Sequence, residues 1–123
     1  MNKDTIMMDY IGSCLSVNHY QYGKTKYIKK ETKAWMEEFG WRLKFSHIED
    51  WKLPLKVTCF GVFKDGRSAP DLSNLSKIIL DTIEDVTGIN DKDMRWHDGS
   101  RVIGSKINEF LKPRLFITIE EAK

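Results

Sequence analysis

Asp71 and Asp91 are the acids on which a hard-metal site in this chain would be built. Pro70-Asp71 announces a helix. A carboxylate at its start is favoured by the helix dipole and by unpaired backbone N–H groups, so a plain N-cap aspartate is the simplest account of Asp71. Its company suggests more. Asn74, Lys77 and Asp81 follow on one polar face, although Lys77 and Asp81 at i, i+4 also suit a solvent-exposed ion pair worth a few tenths of a kcal/mol. Gly88 ends the helix and Ile89 anchors the turn, so that Asn90 and Asp91 project beyond it. Magnesium takes hard oxygen ligands and keeps several waters, so two converging carboxylates plus substrate phosphate oxygens complete a site without histidine or cysteine. A metal held there lowers the pKa of a bound water and offsets charge on a departing oxygen, and Lys77 would neutralise the charge developing on the phosphate. The Ser73 hydroxyl would cap the helix or hold a metal-bound water. His97 and Asp98 fall in the next loop, where a surface histidine is the plainer reading of His97.

A second pattern points to the same class of substrate. From Tyr20 to Ala34 the chain carries Lys24, Lys26, Lys29, Lys30 and Lys33 against one acid, Glu31, with Tyr20, Tyr22 and Tyr27 interleaved. Lysines beside aromatics suit a surface that tracks phosphates and stacks bases. A strand edge kept soluble by lysines explains the same residues. Together with the acids, the pattern favours a magnesium site that cuts nucleic-acid backbone.

The elements that must position these groups are legible from periodicity. Met7 to Leu15 reads as a first strand and Lys24 to Ile28 as a short basic extended segment after the turn at Gly23. Trp35, Phe39 and Leu43 recur every four residues between Glu31 and Phe45, with Met36 beside them, and predict an amphipathic helix that Gly40 weakens. Leu55 to Phe63 alternates with both faces partly apolar, the mark of a central strand. Leu72, Leu75, Ile78, Ile79, Ile83 and Val86 form the wide apolar stripe of a second helix stopped by Gly88. Asn90 to Asp98 reads as polar and turn-like, Arg101 to Ile103 as a short strand, and Arg114 to Glu121 as an alternating strand. This order predicts a single α+β domain: a mixed sheet with two main helices on one face.

Composition excludes several alternatives. The chain has 123 residues, 41% hydrophobic and 31% charged, with a formal net charge of +2. That is one compact domain of ordinary globular composition. No apolar run reaches the twenty or so residues of a membrane helix, and MNKDTIMMDY carries acids where a signal peptide is apolar, which predicts a cytosolic protein. Cys14 and Cys59 are far apart without a CxxC pair, so reduced, packed thiols are expected. Trp35, Trp41 and Trp51 are assigned to core or interface, and Trp96, beside the acidic loop, is the candidate for stacking on a base.

PDLSNLSKIILDTIED followed by GIND resembles the signature of the RusA-type endodeoxyribonucleases, which resolve Holliday junctions. LSVNHYQYGKTKYIKKETKAW is similar to that family's opening, basic strand and first helix, and PRLFITIEE to its closing strand. The resemblance implies a magnesium-dependent junction endonuclease, with manganese as a possible substitute. It further implies a homodimer that makes paired cuts in four-way DNA during recombination and repair, encoded by a phage or prophage and working in the bacterial cytoplasm. Isologous dimerisation suits a two-fold substrate, with phosphates gripped by basic residues and recognition coming from branch shape.

Against the family motif D-x-D-N-x-x-K, Asp71 matches the first acid, Asn74 the asparagine and Lys77 the lysine, while Asp81 matches an aspartate later in the helix and Asp91 the second member of a later Asp pair. Ser73 stands at the second acid of the motif and Asn90 at the first of the later pair. In another register Asp98 takes the later pair's place, at the cost of a longer insertion and with Gly99 at the catalytic position; the shorter register with Asp91 is preferred. Asp93 and Asp98 stand as substitutes for the missing acids. The resemblance adds Asn18 and Tyr20 to Lys24, Lys26, Lys29, Lys30 and Lys33 as DNA-binding residues. Because two acids of the pattern are replaced, a RusA-like protein that binds branched DNA without cutting it is the competing reading.

Overall fold

The computed structural model describes residues 1–17, 29–64, 66, 69–103 and 112–122. Four strands, β1 (Lys3–Asp9), β2 (Leu55–Phe63), β3 (Met94–Ile103) and β4 (Arg114–Glu121), form one sheet in the order β1-β4-β2-β3. β4 pairs antiparallel with both β1 and β2, whereas β3 runs parallel to β2, so the sheet is mixed. Two α-helices that lie wholly among the described residues, α1 (Lys30–Lys44) and α2 (Ser76–Thr87), pack with the sheet.

Alternation decides which sheet face is covered. Leu55, Val57, Cys59 and Phe63 of β2 are buried, as are Leu115, Ile117 and Ile119 of β4 and Ile6 and Met8 of β1. They join Trp35, Phe39 and Leu43 of α1 and Ile78, Ile79 and Ile83 of α2 in one core. The other face carries Thr5 hydrogen bonded to Thr118 and the stacked rings of Phe60 and Phe116, their centroids 4.7 Å apart. Both helices therefore lie on one face of a mixed sheet, as the pattern predicts. Truncating Ile83, wholly buried in that core, would cost about 2–5 kcal/mol by loss of transfer energy and a residual cavity.

Gly40 has a packing reason for sitting inside α1. A Cβ there would lie 3.0 Å from a Val86 methyl, so the glycine lets α1 approach α2 closely. Trp35 fixes the other side of the helix, its indole N–H donating to the Asp9 carbonyl at 2.7 Å. Gly88 closes α2 with φ 78 and donates its N–H to the Glu84 carbonyl at 2.8 Å, the left-handed stop that its position implies.

Two boundaries differ from expectation. The first strand is Lys3–Asp9 rather than 7–15, because the chain turns at Gly12 (φ 106) and buries Cys14 and Leu15 from a short 3-10 turn. Residues 94–103 form one strand, not a polar turn followed by a short strand. β3 is an edge strand with only one covered face, so few of its residues need be apolar. Met94 is buried and Trp96 packs against the core, while Arg95 and His97 point to solvent. The basic segment 24–28 lies outside the described residues.

Candidate functional site

β2, α2 and β3 form a β-α-β crossover, in which α2 runs back from the C-terminal end of β2 to its beginning. This decides which acids can meet. Asp71 precedes a 3-10 turn (Leu72–Leu75) that leads into α2, whereas Asp91 begins a second 3-10 turn (Asp91–Asp93) beyond the helix's far end. The 12 residues of α2 alone separate them by about 18 Å at the α-helical rise. Asp91 is held at that far end, its backbone N–H donating to Glu84 Oε1 at 3.0 Å. Asn90 caps its turn, its side-chain oxygen accepting from the Lys92 N–H at 3.0 Å. The expected pairing of Asp71 with Asp91 is thus not formed. The loop folds back onto the last turn of the helix instead of reaching its start.

β3 carries a different acid, Asp98, on the covered face. Asp98 is the register partner of Cys59 in a parallel pair, so both side chains leave the sheet on the same, helix-covered face. Trp96, two residues earlier on that face, donates its indole N–H to Asp98 Oδ1 at 2.6 Å. Burial, and then the charge of Asp98, push the Cys59 thiol up to about 12, so Cys59 remains a neutral packing group. Cys14 and Cys59 are both free and buried, as expected.

A β-bulge then changes the pattern. Between the Cys59–Asp98 and Gly61–Arg101 pairs, β2 has one residue, Phe60, and β3 has two, Gly99 and Ser100. A Cβ on Gly99 would sit 2.7 Å from the Cys59 carbonyl oxygen, so this strand crossing requires glycine. The extra residue puts Arg101, three positions after Asp98, on the same face as Asp98. Arg101 Nη1 donates to the Pro70 carbonyl at 3.3 Å, tying β3 to the residue immediately before Asp71. Asp71 itself is exposed and its carboxylate makes no cap hydrogen bond. It occupies the N-cap position of the turn, where its carbonyl accepts the Asn74 N–H, without a side-chain capping bond.

The remaining candidates divide clearly. Ser73 is exposed and accepts the Ser76 hydroxyl at its carbonyl, 2.8 Å. Asn74 is half-buried, its N–H bonded to the Asp71 carbonyl at 2.9 Å. Lys77 pairs with Asp81 at 3.5 Å, the i, i+4 contact foreseen. Lys29, Lys30 and Lys33 are exposed around the first turn of α1; Asn18, Tyr20, Lys24 and Lys26 lie outside the described residues. Trp96 is turned into the core edge and onto Asp98 rather than outward toward a base. Trp41 is the exposed tryptophan, 64% accessible, with Lys44 over its ring at 5.1 Å.

Arg101 is thus tied to the residue before Asp71, and Asp98 lies three positions before Arg101 on the same face of β3, opposite the middle of β2. Ligand sites in open α/β units favour the carboxyl ends of the strands. Two carboxylates with hard oxygen donors, exposed to solvent, suit a magnesium ion that keeps most of its waters. Among the described residues the one group of three close potential ligands is His47, Glu49 and Asp50, fully surface-exposed and remote in sequence from these acids. Arg101 was missed by sequence reasoning. The signal for Asp98 was the inward spacing Met94-Trp96-Asp98 at period two, which a polar-loop reading hides. Comparison of the chain with models of known protein families and with curated protein sequences finds no match.

Proposed function

We propose that this protein is a magnesium-dependent endodeoxyribonuclease of the RusA type, acting on branched DNA such as four-way junctions, with Asp71 and Asp98 as its acids. One observation carries the reading. The segment with the family-like motif and the strand with Asp98 are linked by the Arg101–Pro70 hydrogen bond at the end of one β-α-β unit. Asp71 and Asp98 would hold the metal. Magnesium there, or manganese in its place, would supply an activated water and offset charge on the departing oxygen. Lys77, on the first turn of α2, would have to exchange its ion pair with Asp81 to meet charge developing on the scissile phosphate. A homodimer would bring two such sites to a two-fold junction.

A labelled four-way junction incubated with the protein and titrated with magnesium should give paired nicks, and Asp71→Asn should abolish them. Equal cutting by wild type and this variant would sink the assignment. A second reading, binding of branched DNA without cleavage, is favoured by Ser73 and by Gly99, where a Cβ would lie 2.7 Å from the Cys59 carbonyl oxygen and an acid would need movement of the backbone. Salt-dependent junction binding with no nicks in magnesium or manganese would select it.

A further inference from the structure

We propose that Arg101 is the residue of this site that grips substrate phosphate, and that the β3 bulge exists to aim it. This rests on the nucleic-acid reading above. In a regular strand, residues three apart point to opposite faces, so Asp98 and Arg101 would be separated by the sheet. The bulge at Gly99 and Ser100 reverses that, and both become partners of β2 residues, Cys59 and Gly61, on the helix-covered face. Bulges re-aim side chains beside active sites and are uncommon between parallel strands. Here the bulge also requires a glycine, because a Cβ at position 99 would lie 2.7 Å from the Cys59 oxygen and 2.8 Å from the Phe60 Cβ.

Arg101 is exposed, and one of its nitrogens is spent on the Pro70 carbonyl. It forms no ion pair with an acid among the described residues, although it is bonded to the residue before Asp71 and shares its strand face with Asp98. A guanidinium anchored through one nitrogen keeps its other donors for a planar, bidentate contact, the geometry that suits a phosphodiester. Acids that would hold a metal and an unneutralised arginine tied beside them would be complementary to one phosphate, with the guanidinium free to contact its oxygens. Arg101 thus gives the site affinity for backbone rather than for base sequence.

The test is junction binding by fluorescence anisotropy in EDTA, across a series of salt concentrations, so that cleavage plays no part. Arg101→Gln should weaken binding several-fold and reduce the slope of log affinity against log salt by about one, the signature of one lost phosphate contact. Arg101→Lys should recover the slope and part of the affinity. If wild type binds and both variants bind with its affinity and slope, the inference about Arg101 is overturned while the nucleic-acid reading stands. If wild type binds no DNA, both fall. Should Arg101→Gln fail to fold, the lysine variant decides: affinity equal to wild type contradicts a bidentate grip.

Discussion

The indole N–H of Trp96 donates to Asp98 Oδ1 at 2.6 Å, which fixes one carboxylate oxygen and leaves the group's orientation set by a side chain wedged against the core. Trp96 is therefore a positioning residue for Asp98. Trp96→Phe preserves packing but removes the donor, and should raise the magnesium concentration needed for half-maximal cutting by about 10–100-fold, the usual cost of losing a metal ligand's supporting partner. Terbium offers a readout independent of cutting. Its luminescence on tryptophan excitation should be strong for wild type and largely lost in Trp96→Phe, and equal emission from both would remove Trp96 from the site.

Gly99 should tolerate no side chain. Gly99→Ala places a Cβ against the Cys59 carbonyl and the Phe60 Cβ, neither of them a flexible side-chain end. Overpacking of this kind costs about 1–3 kcal/mol, read as a lower urea midpoint at unchanged slope. A midpoint equal to that of wild type would show that the bulge can open freely.

Cys59 should be inert in the folded protein. Burial first, and the charge of Asp98 second, raise its thiol to about 12, so the thiolate is scarce at neutral and mildly alkaline pH. Thiol labelling at mildly alkaline pH should modify Cys59 only after denaturant is added. Because burial is the larger cause, Asp98→Asn should lower the thiol's pKa without making it reactive; rapid native labelling of that variant would reverse the order of causes.

The fold was more legible than the site, and particular residues explain why. β2, β4 and both helices bury full stripes, so period two or period 3.6 runs unbroken through Leu55 to Phe63 and Leu72 to Val86. β3 is an edge strand whose outward residues over its first half, Arg95 and His97, are polar, and with Asp98 on the inner face the run reads as loop. A polar turn over 90–98 leaves Asp91 as the acid free to fold back toward Asp71, whereas in the structure a helix stands between them. Arg101 is hidden because Val102 and Ile103 beyond the bulge are both exposed, so no alternation marks the change of face.

Glu121 makes stability pH-dependent. It accepts from the Lys52 N–H at 2.8 Å, the Asn2 side-chain amide at 3.0 Å and the Asn2 N–H at 3.2 Å, and these hold its carboxyl below the usual range. A group whose folded pKa is depressed stabilises above its unfolded value, near about 4.3 for glutamate, and that contribution is lost as pH falls through the folded value. Urea midpoints taken from neutral to acid pH should fall across this window, and less steeply in Glu121→Gln. Parallel profiles for the two proteins would place the acid sensitivity elsewhere.

The most direct test of the account compares Asp98→Asn with Asp91→Asn in junction cleavage at matched magnesium. If Asp71 and Asp98 share the metal, Asp98→Asn loses activity on the order of a hundredfold or more, corresponding to several kcal/mol of barrier, and Asp91→Asn cuts like wild type. Loss of cutting in Asp91→Asn with normal cutting in Asp98→Asn would contradict it.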